Sequence, residues 1–118
     1  MKESMILGRV EVAPSAIASL AGQAVLECYG VVGMAAVTLR HGLAELLHPE
    51  SYRRGVEVTL QDGKIIIDLY VIIEYGTRIS EVAQNIMENV KFQVERSLGV
   101  PIHQINVHVQ GLRVSEQD

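Results

Sequence analysis

Asp62-Gly63 sits between two runs of alternating residues, and little else in the chain is as restrictive. Before it, Val56, Val58 and Leu60 alternate with Glu57, Thr59 and Gln61. After it, Ile65, Ile67, Leu69, Val71 and Ile73 alternate with Ile66, Asp68, Tyr70, Ile72 and Glu74. A period of two marks a strand, because successive side chains leave opposite faces of a pleated ribbon. Asp-Gly tolerates the positive φ angles of a two-residue hairpin turn, whose twist matches that of its strands. The spacing therefore predicts an antiparallel hairpin with a long return strand, Lys64 to Tyr75. That strand is apolar on one face and half apolar on the other, which predicts a central position with part of its second face covered.

Such a hairpin needs a second layer to bury its apolar face. Pro14 suits the first turn of a helix. Behind it Ile17, Leu20, Ala21, Ala24, Val25 and Cys28 form one helical stripe, with Gly30 as the expected left-handed stop. A second stripe, Ile79, Val82, Ala83, Ile86, Val90, Val94 and Leu98, predicts a long helix that starts at Ser80 or its neighbour, with Ser80 as the expected cap, and is closed by Gly99 and Pro101. Alternation also predicts a first strand over Ile6 to Val12 and a last strand over Gln104 to Gly111. The last strand buries Ile105, Val107 and Val109 and shows Asn106, His108 and Gln110. Leu39 to Leu47 reads as a short helix ended by Pro49, Gly33 to Thr38 as a turn, a strand or a loop, and Leu112 to Asp118 as a frayed tail. The expected fold is an α/β (α+β) two-layer sandwich with a mixed sheet of about four strands, in the order β-α-(α)-β-β-α-β. At 118 residues it forms one domain, 1–118.

Charge and composition exclude several function classes. Fourteen acidic against ten basic residues give a net charge of −4, against the basic excess of most phosphate-backbone binders. One cysteine, Cys28, allows no intrachain disulfide, which fits a reducing compartment. No stretch approaches the ~20 apolar residues that span a bilayer, and Met1 to Met5 carry no signal-peptide core. The expected location is the cytoplasm, with any membrane association peripheral and through a partner.

The search for chemistry returns no active site. His41, His48, His103 and His108 include no close ligand pair, so neither a metal nor any other cofactor is expected. His108 falls on the wet face of its strand, where Asp68 or Glu74 can face it. Cys28 reads as buried filler on a helix stripe, and Ser15, Ser19, Ser51 and Ser80 lack a nucleophile elbow. Asp68 and Glu74, six apart on one strand, stand roughly 20 Å apart, too far to work as a pair.

Two features remain. Gly30-Val31-Val32-Gly33 is a Gly-x-x-Gly element of the kind that clamps nucleic-acid backbone in KH domains, with Arg40, Arg53 and Arg54 available as a basic rim. Both intervening residues are valine, however, and helix termination followed by a turn explains the glycines with less. The second feature is the face carrying Ile66, Asp68, Tyr70, Ile72 and Glu74, with His108 beside it. Ile66, Tyr70 and Ile72 are more apolar than a solvent-facing strand requires. Either this face binds a partner or Gly33 to Leu47 folds across it.

Several segments together resemble the alkaline-shock-protein family, the envelope stress response proteins of Gram-positive bacteria. They are Gly8 to Pro14, Gly30 to Met34, the run Asp68-Leu69-Tyr70-Val71-Ile72-Ile73-Glu74-Tyr75-Gly76, Val82 to Ile86, and Ile105-Asn106-Val107-His108-Val109-Gln110-Gly111. The resemblance spans nearly the whole chain in order, with Gly42 to Tyr52 outside it. It implies a cytoplasmic, non-enzymatic protein associated with envelope stress, with no cofactor, and with a separate membrane anchor protein as partner in some members. The expected function is protein binding or scaffolding, by homo-oligomerisation or by docking on an anchor or a regulated enzyme, through the face above or an edge strand. The alternatives are KH-like RNA binding and a small-ligand carrier or regulatory subunit.

Overall fold

A computed structural model describes residues 12–36 and 55–114. They form α1 (Pro14–Leu26), β1 (Val31–Met34), β2 (Val56–Gln61), β3 (Lys64–Glu74), α2 (Ile79–Leu98) and β4 (Gln104–Arg113). The two long helices, the hairpin, the second face of β3 and the last strand stand where the periodicity places them. The expected strand before Val12, the short helix at 39–47, and Arg40, Arg53 and Arg54 lie outside the described residues.

β3 organises the sheet. β2 pairs with it antiparallel from Val56↔Leu69 to Gln61↔Lys64, through a turn with φ of 53° at Asp62 and 75° at Gly63. β4 pairs with it in parallel from Ile66↔Gln104 to Glu74↔Arg113 and so fills one edge. β1 pairs antiparallel with Val71 to Ile73. A strand has two edges, so β1 and β2 share the other one end to end. The sheet is mixed, because a parallel neighbour requires a crossover and α2 supplies it.

The helices lie on one face. Ile67, Leu69, Val71 and Ile73 of β3 are fully buried together with Ala21 and Val25 of α1 and Ile86, Val90 and Val94 of α2. Each Val, Leu or Ile side chain among them contributes about 1.5–3 kcal/mol relative to exposure. Asn89 of α2 donates from Nδ2 to the Ala24 carbonyl at 2.9 Å, tying the two helices together.

Four local expectations are corrected. α1 ends at Leu26 with Glu27 as a right-handed cap, so Gly30 is not its stop. Gly30, at φ 91°, instead turns the chain into β1, and its carbonyl accepts the Glu74 N–H at 2.8 Å. Gly33 lies inside β1 opposite Ile72, so Gly30 to Gly33 is a turn running into a strand and not a Gly-x-x-Gly clamp loop. α2 starts at Ile79 with Arg78 as its cap residue, which leaves Ser80 in the first turn. β4 runs on to Arg113, whose carbonyl accepts the Tyr75 N–H at 2.7 Å, so Leu112 and Arg113 belong to the sheet rather than to a tail. Gly99 does close α2, in the left-handed conformation at φ 70°.

Candidate binding face of the sheet

The face of β3 away from the helices carries Ile66, Asp68, Tyr70, Ile72 and Glu74, as the alternation requires. Its neighbours follow from register. Asp68 lies across from Asn106 on β4 and from Glu57 on β2, and Tyr70 lies across from His108. Direct and diagonal cross-strand neighbours lie close enough to interact, and here they interlock. Asp68 Oδ1 accepts from Asn106 Nδ2 at 3.0 Å and is 2.9 Å from His108 Nε2. The His108 ring stacks on Tyr70 with centroids 4.5 Å apart and planes 12° apart. The Tyr70 hydroxyl donates to Glu57 Oε1 at 3.5 Å, and Gln104 Nε2 donates to Asn106 Oδ1 at 2.8 Å.

The network holds its central groups still while leaving them accessible. The side chains of His108 and Asp68 are 38% and 19% exposed. Tyr70 has its phenol pushed up from the usual value by partial burial, with the Glu57 and Asp68 carboxylates adding to the effect.

Ile72 is where this second face is covered, as the half-apolar alternation of β3 predicts. It is completely buried, while Ile66 and Tyr70 are half-buried. Val31 to Met34 lie beside β3 as part of the sheet, and the Ala35 N–H donates to the Tyr70 carbonyl at 2.8 Å, so this part of the segment expected to cross the face extends the sheet sideways, and its residues 37–47 lie outside the described residues. The accessible patch is therefore centred on Asp68, Tyr70 and His108, with Glu57 and Asn106 around it. Sequence reasoning missed Glu57 and Asn106. The hairpin register already implied Glu57, since Asp62-Gly63 fixes its partner, whereas Asn106 depended on the parallel register across a helix.

The remaining candidates do not join this patch. Gly30 and Gly33 serve the turn into β1 and the sheet ladder. A backbone clamp of the Gly-x-x-Gly kind needs free backbone in a loop, and this segment is a strand. Cys28 is half-buried, donates from Sγ to the Ala24 carbonyl at 3.4 Å, and has its thiol pushed up by burial, against the lowering effect of Asn89. Among the described residues, no three His, Cys, Asp or Glu side chains group to hold a metal ion. Nor is any described helix long and apolar enough to cross a membrane.

Comparison with known proteins places the whole described chain in one group. A family model for the alkaline shock protein 23 family, described as having a cell envelope-related function, matches residues 2–114. The Bacillus subtilis (strain 168) protein YloU is 42% identical over 92% of this chain and 91% of its own length. The Streptococcus pyogenes protein Spy1614 is 40% identical over 91% of this chain and 89% of its own. A Streptococcus pyogenes stress response regulator gls24 homolog is 25% identical over 97% of this chain and 64% of its own length. No solved structure matches. With a match across nearly its full length, this chain belongs to the alkaline shock protein 23 family of cell envelope-related proteins.

Proposed function

We propose that this protein is a non-enzymatic binding module that docks a protein partner on the Asp68–Tyr70–His108 patch. The observation behind this reading is the network itself. Asn106 and His108 meet on one carboxylate oxygen while the imidazole stacks on Tyr70, so side chains from two strands are fixed yet partly exposed. Groups held in one geometry lose little side-chain entropy on binding, which favours recognition. The family description as cell envelope-related and the naming of one relative as a stress response regulator support a regulatory or scaffolding role. The partner is a regulated protein or a membrane anchor, the latter giving peripheral attachment at the inner face of the membrane.

The test is affinity purification of the full chain from its native cells at physiological salt, with soluble and membrane fractions kept apart. A dominant protein partner that is lost with Tyr70→Glu, while circular dichroism and thermal melting stay unchanged, supports the reading. A partner retained by that folded variant places the docking surface elsewhere. Recovery of RNA and ribosomal proteins instead of a single partner overturns the protein-docking role.

A further inference from the structure

Among the described residues, β4 is a long edge with little of the usual protection. It pairs with β3 along one side, and no described strand pairs with its other side. Exposed edges are commonly blunted by proline, by charged residues, by bulges or by shortness. Between Gln104 and Leu112 there is no Lys, Arg, Asp, Glu or Pro. The one irregularity is the register shift that leaves Gln110 as an extra residue, and it falls after the regular stretch Gln104 to Val109.

The apolar layer is also unfinished on that side. Ile105, Val107 and Val109 lie across the ladder from Ile67, Leu69 and Val71, on the same helix-covered face. The β3 residues are fully buried, while their β4 neighbours are only half-buried. Beside them Met87 and Lys91 of α2 border an open depression of about 190 Å³ that reaches Gln104 and Ile105. A strand and a helix flank added at this edge would bury what β4 leaves exposed.

The sequence of β4 is complementary to itself. Run antiparallel about a two-fold axis at Val107, Ile105 faces Val109 of the other copy, Asn106 faces His108, and Gln104 faces Gln110. Apolar side chains meet apolar ones on the helix side, and polar ones meet polar ones on the patch side. No like charges are brought together, so the pairing carries no electrostatic penalty of the kind that separates edges. A two-fold contact uses the same surface on both copies, the commonest form of protein assembly.

We infer that two copies of this chain pair β4 to β4 antiparallel about Val107, joining their sheets into one continuous sheet. The two Asp68–Tyr70–His108 patches then lie on the same side of that sheet, close to the axis, and present one composite surface. The pairing does not depend on what docks there, so the two readings fail separately. Tyr70→Glu leaves the dimer intact, and Val107→Lys dissociates it.

The experiment uses the purified full chain. Sedimentation equilibrium is run on the unmodified protein and on Val107→Lys. Mild oxidation is applied to Val107→Cys and to Asn106→Cys, each with Cys28→Ser. Directly opposed residues in an antiparallel pair have Cα atoms about 4.5–5.5 Å apart, within disulfide range. Expected are a concentration-dependent dimer, its loss in a folded Val107→Lys, and a crosslink through Cys at 107 that exceeds the one at 106 by about tenfold or more. A chain that stays monomeric at every concentration overturns the inference, as does a dimer that survives Val107→Lys or crosslinks no better at 107 than at 106.

Discussion

Gly30→Ala separates a backbone role for this glycine from a ligand-binding one. Gly30 has φ 91°, and a Cβ built on it would lie 2.8 Å from Val82 Cγ2 and 3.4 Å from Cγ1. The backbone cannot easily swing away, because its carbonyl accepts the Glu74 N–H at 2.8 Å and the next residue begins β1. Two costs add. A non-glycine residue held at a left-handed φ costs about 1–2 kcal/mol. Overpacking against Val82, itself only 4% exposed, costs about 1–3 kcal/mol more. The expected loss is about 2–5 kcal/mol, which lowers the urea midpoint by roughly 1–2 M at a typical slope. Val82→Ala opens the space, so the pair of changes should cost less than the sum of the singles by about 1–2 kcal/mol, leaving the φ term behind. The assay is urea unfolding of the four proteins followed by circular dichroism, with the slope checked for two-state behaviour. A loss below about 0.5 kcal/mol for Gly30→Ala, or strict additivity with Val82→Ala, refutes the packing argument.

Two predictions concern the patch. Because the Tyr70 phenol is pushed up, the folded state holds its proton more tightly than the unfolded state does. The resulting stabilisation is present below the ordinary phenol value of about 10 and is lost as pH rises through the folded value. Tyr70→Phe should therefore flatten the alkaline fall in stability, read from urea midpoints across that range, and an unchanged fall would rule out this assignment. Asp68→Asn and His108→Ala should be non-additive, with a coupling of about 0.5–1 kcal/mol that discounts for their partial exposure, and strict additivity would show that the 2.9 Å contact contributes nothing in solution.

Most of the scaffold is legible in the sequence because its signals are local. Asp62-Gly63 forces a two-residue turn, and the turn fixes every β2–β3 pair from Gln61↔Lys64 outward. The 20-residue α2 carries its stripe through five turns and stops at a glycine that adopts the left-handed conformation. β1 is illegible for the opposite reason. Four residues, one of them glycine and with a register shift after Val31, carry too little alternation to mark a strand. Its place is settled by the vacant stretch of β3 edge beyond the end of β2, which is a tertiary fact. Ser80 misleads as a cap because residue type alone cannot say on which residue a helix begins; here Thr77 turns the chain by donating its hydroxyl to the Glu74 carbonyl at 2.7 Å.

The patch lies between these extremes. Alternation along β3 names Asp68, Tyr70 and Ile72 as companions on one face, yet it treats them alike, and the structure does not. Ile72 is completely buried although the residues across from it, Gly33 and Gly111, carry no side chains. Tyr70 and Asp68 have His108 and Asn106 across from them and stay accessible. What makes the patch is the side chain contributed by the adjacent strand, and for β4 that depends on a parallel register set by the length of α2 and the turn at Gly99 to His103. Shifting that register by one residue would put Val107 on the patch side, where it would face Asp68 or Tyr70, and His108 among the helices. The apolar alternation of Ile105, Val107 and Val109 is what keeps that slip from occurring in the native chain.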